Sequence, residues 1–316
     1  MKYVSATKAG KVGVITLTNP DGGFMTRDMV KELDKVISAW EAEGEVRAVI
    51  LTGGAAGTFV THYDLSEAEL IADLPHWVRM LLKGVVSLLL KGHTALCHVP
   101  PLRRAVDALV SDTRLDNLTE LNRMHGLLTR MQLMNIVFIA AINGDAMGGG
   151  CELALFCDYR LMARGNYAFG LPEAIGGVFP GAGGTQRMAR MVGPHKALEL
   201  ILDGTMLDAD EAARIGLVTR AVDPSELMPR AQELAERLAK RPPLSVGAVK
   251  RAIALGADLP IRQALELEKA GFVETGFSDD AVASGRYYFS NYRNGKSPRQ
   301  IFDGYRGGSA VEFRGK

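Results

Sequence analysis

The sequence predicts an α/β fold with a largely buried sheet. Short β-branched runs alternate with longer segments of helical period, as in chains built from strand–helix units. One run, Ile136–Ile142 (IVFIAAI), is apolar without a break, as a strand covered on both faces must be. The chain is also 47% hydrophobic and 23% charged, which is ordinary globular composition and excludes a disordered, collagenous or coiled-coil chain. At ~150 residues per domain, 316 residues fit two domains or one large unit with additions.

The elements follow in order. Lys11–Asn19 is β-branched and runs into Asn-Pro-Asp-Gly-Gly, a strand and then a turn. Arg27–Ala42 is helical, with Met29, Leu33, Val36, Ile37 and Trp40 on one face. Val46–Thr52 is a second strand. Thr58–Leu65 is extended and leads into a helix start. Trp77–Lys91 is a helix in which Arg79, Lys83, Ser87 and Lys91 form a narrow polar stripe opposite a wide apolar face. Asn117–Met134 is helical, with Leu118, Leu121, His125, Leu128 and Met131 sharing a face. Ile136–Ile142 is a strand, a helix begins after Gly148-Gly149-Gly150, and Tyr159–Ala163 is another strand. From Lys196 the pattern is mostly helical to about Ala254, broken at Asp223-Pro224, and a further helix spans Ile261–Glu274. The tail after Ser297 carries glycines and charges and is expected to be loosely ordered. The expected organisation is a core over 1–220, a helical region over 221–296 and a tail over 297–316.

Charge and cysteine usage exclude several functions. Basic and acidic residues number 37 and 36, so no global field draws in nucleic acid or an anionic membrane. Arg79 to Arg104 holds basic residues and no acidic one, but Trp77 is the only aromatic platform beside it, so nucleic-acid binding is not expected. A membrane-surface role for that basic, apolar helix is disfavoured by the balanced charge. The opening MKYVSATKAGKVGV lacks the apolar core of a secretory signal. Cys97, Cys151 and Cys157 are odd in number and lack metal spacing, which suits a reduced, cytoplasmic protein. His76, His93 and His98 have no i, i+4 pair and no acidic partner, so no metal site is expected.

Two glycine-rich segments carry the chemistry. In Asn143-Gly-Asp-Ala-Met-Gly148-Gly149-Gly150-Cys-Glu152, the glycines sit between an apolar strand and an apolar helix. Glycines let the backbone bend tightly and approach a ligand closely. The N–H groups at a helix start lack intrahelical partners and carry its positive dipole end, so they can hold a developing oxyanion. The spacing is not G-x-G-x-x-G, which removes the dinucleotide reading. In Phe169-Gly-Leu-Pro172-Glu173, followed by an uncharged run to Arg187, a second glutamate lies beside a glycine-rich turn. A desolvated carboxylate has a raised pKa and can act as acid or base. Glu152 and Glu173 therefore form a candidate acid/base pair, although either could instead cap a helix or pair with Arg187.

The segment Ile139 to Arg190 resembles the crotonase superfamily, the enoyl-CoA hydratase/isomerase family. It carries that family's IAAxNGxAxGGGxELAxxCD and FGxPExxxGxxPGxGGTQR runs. The likeness extends to Val46–Gly53, Ala197–Gly204, Glu211–Val218 and Ala248–Lys250. It implies a spiral of ββα units with a C-terminal helical region, assembled as trimers or hexamers, acting on an acyl-CoA thioester with no further cofactor. It implies that the backbone N–H groups of Gly149 and Tyr63 stabilise a thioester enolate. It implies that Glu152 and Glu173 are catalytic in adding water across the 2,3 double bond of an enoyl-CoA. His62, Asp64, Gly148, Pro172 and Gly181 are then expected around the pocket. An enoyl-CoA isomerase, a thioester hydrolase on the same scaffold, and a non-enzymatic binding protein using the basic insertion are the rival readings.

The chain departs from the family pattern in four places, one of them a stretch between Asp158 and Phe169 that is one residue longer than expected. Thr61-His62 replaces an Ala-Gly pair, and Ser66 stands where a basic residue is usual. The spacing from Asp64 to Asn143 is long, which implies a helical insertion at about 73–116. That insertion is expected to border the acyl end of the pocket, its apolar face covered by substrate or by a neighbouring subunit.

Overall fold

The computed structural model describes residues 1–64, 75–97, 116–308 and 310–315. Its larger sheet has six strands: β1 (Val4–Ala9), β2 (Val12–Leu17), β3 (Ala48–Gly53), β5 (Val137–Ile142), β7 (Tyr159–Ala163) and β9 (Arg220–Val222), adjacent in that order. β1 and β2 form an antiparallel hairpin, and every later pairing is parallel. A second parallel sheet joins β4 (Gly57–Val60), β6 (Gly144–Met147) and β8 (Phe169–Gly170). Three successive strand pairs, β3/β4, β5/β6 and β7/β8, thus each place one strand in either sheet. This is the expected spiral of repeated units.

β5 explains the burial. All six of its residues are buried; Phe138, Ala140 and Ile142 enter one core, and Val137, Ile139 and Ala141 the other. Helix α1 (Arg27–Glu43) covers the first face with the side chains its period foretold. It is capped by the Thr26 hydroxyl, which accepts from the Met29 N–H at 3.2 Å, and by Gly44 in the left-handed region. The helices that follow are α2 (His76–Cys97), α3 (Asp116–Leu133), α4 (Gly149–Phe156), α5 (Gly184–Val192), α6 (Pro194–Leu202) and α7 (Ala209–Arg214). After β9 come α8 (Leu227–Ala239), α9 (Pro243–Gly256), α10 (Ile261–Gly276), α11 (Asp279–Arg293) and α12 (Pro298–Gly307). Leu227, Ala231, Leu234, Ala235 and Ala239 of α8 cover the second face of the sheet.

Several expectations need correction. β1 was not foreseen, because four of its six residues are exposed and its alternation is weak. β9 is only three residues long, and the expected boundary at 220/221 falls inside it. The tail after Ser297 is ordered as α12. Ser297 and Gln300 form a capping box, Ile301 is buried, and the Asp280 carboxylate accepts the N–H groups of Arg314 at 2.7 Å and Gly315 at 2.8 Å. On α3 the core face is Met124, Leu127, Leu128 and Met131, so Leu121 and His125 are rotated away from it. On α2, Trp77 is 70% and Leu88 72% exposed among the described residues. Ser66, His98 and the side chain of His93 lie outside the described residues.

Candidate active site

Helix α4 starts where β6 ends, and its three glycines each serve a separate contact. Gly148 sits at φ 48° in the left-handed region, and a Cβ there would press on Glu173 and His62. A Cβ on Gly150 would collide with the Val60 carbonyl of β4. A Cβ on Gly149 would lie 3.4 Å from the Tyr63 nitrogen, so the two expected oxyanion donors are neighbours. Tyr63 is fixed by pairing of its loop with Met25. The Met25 N–H donates to the His62 carbonyl at 2.8 Å, and the Asp64 N–H donates to the Met25 carbonyl at 2.9 Å. In that parallel pairing the N–H of Tyr63 itself is turned away from Met25. His62 packs on the Phe24 ring and donates from Nδ1 to the Tyr63 carbonyl at 2.7 Å.

These groups share a cavity of about 400 Å³. His62, Tyr63, Gly148, Gly149, Glu152, Pro172, Glu173 and Gly181 all line it; of the expected pocket residues, Asp64 falls outside. The rest of its wall is apolar, from Leu121 and Met124 of α3 together with Met147, Val178 and Phe179. Among the described residues, α2 contributes none of the wall. Cavities of similar size lie beneath Trp40 and beside Lys250, and neither holds the glutamate pair.

The two glutamates are held differently. Glu152 lies in the first turn of α4 and is 3% exposed. Its Oε1 accepts from the Ala182 N–H at 2.8 Å and the Gly184 N–H at 2.7 Å. Both bonds fall on one oxygen, which leaves Oε2 for the cavity. Burial pushes its pKa up to about 7, against the pull of the two N–H donors, and the charge of Glu173 adds to the rise. Glu173 opens a short 3₁₀ turn, Glu173–Gly176, and is half-buried. Its Oε2 is buried with no hydrogen-bond partner among the described residues. Burial raises its pKa also, and His62 moderates the rise. Arg187 is not the partner of either: its Nε donates to the Leu155 carbonyl at 3.1 Å and its guanidinium lies over the Phe156 ring.

The sequence reading missed the Ala182 and Gly184 donors, because a backbone N–H has no signature in residue type. It placed Leu121 on one face with Leu128 without telling wall from core, since a cavity wall and a core face share the same helical spacing. The motif residues Asp158 and Lys250 serve structure. Lys250 Nζ ties α9 to the Asp158 carboxylate at 2.7 Å and to the carbonyls of Met131 and Ile136.

Comparison with known proteins gives one answer. Residues 111–296 match the family model described as enoyl-CoA hydratase/isomerase. A short-chain-enoyl-CoA hydratase from Clostridium acetobutylicum is 35% identical over 286 residues, covering 89% of this chain and 92% of that one. A crotonyl-CoA hydratase from Syntrophomonas wolfei is 44% identical over 142 residues, covering 45% of this chain and 54% of that one. Among solved structures, an enoyl-CoA hydratase subunit from Geobacillus kaustophilus superposes with a TM-score of 0.72 at 30% identity, over 99% of this chain and 98% of that one. An enoyl-CoA hydratase from Bacillus anthracis gives 0.73 at 25% identity, over 99% and 100%. The spiral of strand pairs, the glutamate-bearing cavity and these matches together establish that the chain belongs to the enoyl-CoA hydratase/isomerase family, the crotonase superfamily.

Proposed function

We propose that the protein adds water across the 2,3 double bond of an enoyl-CoA thioester. The observation that carries this reading is the pair of unlike glutamates on one cavity: Glu152 pinned through a single oxygen, and Glu173 presenting a buried oxygen with no partner among the described residues. A water between them would satisfy both. In the productive form Glu152 is ionised and Glu173 carries a proton. Glu152 takes a proton from the water as its oxygen bonds to C3. The thioester oxygen becomes negative and is met by the N–H groups of Gly149 and Tyr63. Glu173 delivers its proton to C2, and proton exchange with solvent resets the pair.

The apolar wall of Leu121, Met147 and Phe179 suits an acyl chain. The reaction needs no cofactor beyond the coenzyme A that the substrate carries. Exposed Ile253, Phe272 and Phe277 on and beside the C-terminal helices suit burial in a homotrimer or hexamer. The buried free thiols of Cys151 and Cys157 suit the cytoplasm. No described helix is long and apolar enough to cross a membrane.

The test is loss of the conjugated-thioester absorbance when purified protein meets crotonyl-CoA and longer enoyl-CoAs. Hydration bleaches it with the thioester intact. Release of free coenzyme A thiol would instead support a hydrolase, and a shifted double bond an isomerase.

A further inference from the structure

We propose that His125 is a positioning residue that acts on Glu152 through the Gly181–Ala182 peptide. This rests on the reading of Glu152 as the base. His125 Nε2 lies 2.7 Å from the Gly181 carbonyl oxygen. A carbonyl only accepts, so Nε2 carries the proton and donates. The same peptide unit continues into the Ala182 N–H, which donates to Glu152 Oε1 at 2.8 Å. The result is one unbroken chain: imidazole N–H to carbonyl, amide N–H to carboxylate. Donation to the oxygen of an amide polarises it and makes its N–H a stronger donor. His125 also fixes the loop spatially. Gly181 and Gly183 flank Ala182, and Gly183 sits at φ 97°, so the segment has little stiffness of its own. Among the described residues, the Glu152 carboxylate is held through the Ala182 and Gly184 N–H groups of that segment. The bond from α3 therefore sets the position of the donors that set the carboxylate.

His125 is outside the cavity lining, whereas Leu121 and Met124 of the same helix are in it. Its role is accordingly indirect. It also accounts for a histidine at a position whose spacing marks it as part of an apolar face. The side chain is exposed and is turned from the core toward the 181–184 loop.

The test is steady-state hydration of crotonyl-CoA by His125→Leu and His125→Gln, with folding followed by circular dichroism. Leucine removes the donor. Glutamine keeps an amide N–H at about the place of Nε2. Loss of one positioning hydrogen bond corresponds to roughly a tenfold fall in rate. The inference expects that fall in kcat for His125→Leu, with KM within about twofold because no substrate contact is removed. It expects His125→Gln to recover most of the loss. A packing role would leave the two variants equally impaired, and that result overturns the inference, as does wild-type kcat in His125→Leu. Glu152→Gln, measured alongside, separates the two levels. Near-normal turnover in it would overturn the base assignment and the inference together. An inactive Glu152→Gln beside an unaffected His125→Leu overturns the inference alone.

Discussion

Glu152 and Glu173 face the same cavity from opposite kinds of structure. All eight residues of α4 are buried around Glu152, and its carboxylate is clamped by two backbone donors. The turn that holds Glu173 has no buried residue, and Phe179 beyond it is 74% exposed. One carboxylate is thus fixed by the fold, and the other is left incomplete by it. Fixed geometry suits a base that must orient a water. A buried oxygen with no partner among the described residues suits a group that finishes its hydrogen bonds on water or substrate. The site is asymmetric because its two halves are built from a helix start and a glycine-rich turn.

The largest expected effects fall on the chemistry itself. Glu152→Gln and Glu173→Gln should each lower crotonyl-CoA hydration by about two orders of magnitude or more, measured as loss of enoyl absorbance. Gly149→Pro belongs to the same class. Proline is tolerated at the first position of a helix yet has no N–H, so the fold should survive while kcat falls about a hundredfold or more. Tyr63→Phe should stay within about threefold, since its backbone is the proposed donor; a large loss would move the role to the phenol.

Stability should separate the two carboxylates next. The folded-state pKa of Glu152 stands near 7 against an ordinary 4.5, so the fold favours the protonated form. That contribution is complete below about pH 4.5 and is lost as pH rises through about 7. The full change is about 3 kcal/mol. In denaturant melts, Glu152→Gln should gain on the wild type between pH 5 and pH 8; a constant difference would show that the carboxyl is not held neutral by burial. Shortening sharpens the contrast. Glu152→Asp strands the Ala182 and Gly184 N–H groups and should cost about 1–3 kcal/mol, whereas the Glu173 carboxylate accepts only from its own backbone N–H among the described residues, so Glu173→Asp should cost less.

Much of this was legible in the residues. The glycine runs and the two glutamates marked the cavity, and glycine at Gly148 and Gly150 is demanded by contacts that any side chain would break. The α1 face was readable from its period alone. The tertiary parts were not. β9 joins the sheet with three residues, too few for a pattern. The tail is held by a capping box, Ile301 and two bonds to Asp280, which composition does not reveal. Leu121 and His125 share helical spacing with Leu128, yet only Leu128 enters the core, because spacing gives a face and not its neighbour.

The smallest effect is expected on α2. Its apolar face was expected to be covered, and Leu81 and Leu88 are exposed. Leu88→Asp should change crotonyl-CoA turnover less than twofold and stability by no more than about 0.5 kcal/mol, as for an ordinary surface site. A selective loss on long enoyl-CoAs would place the insertion at the pocket.

In the proposed mechanism the two glutamates act on one water. The direct measurement is kcat for crotonyl-CoA hydration in Glu152→Gln, Glu173→Gln and the double variant. Residues that act as a unit are strongly non-additive, so the double variant should fall little below the worse single one. Losses that multiply in the double variant, or near-normal turnover in Glu173→Gln, would contradict a shared water and with it the paired-carboxylate mechanism.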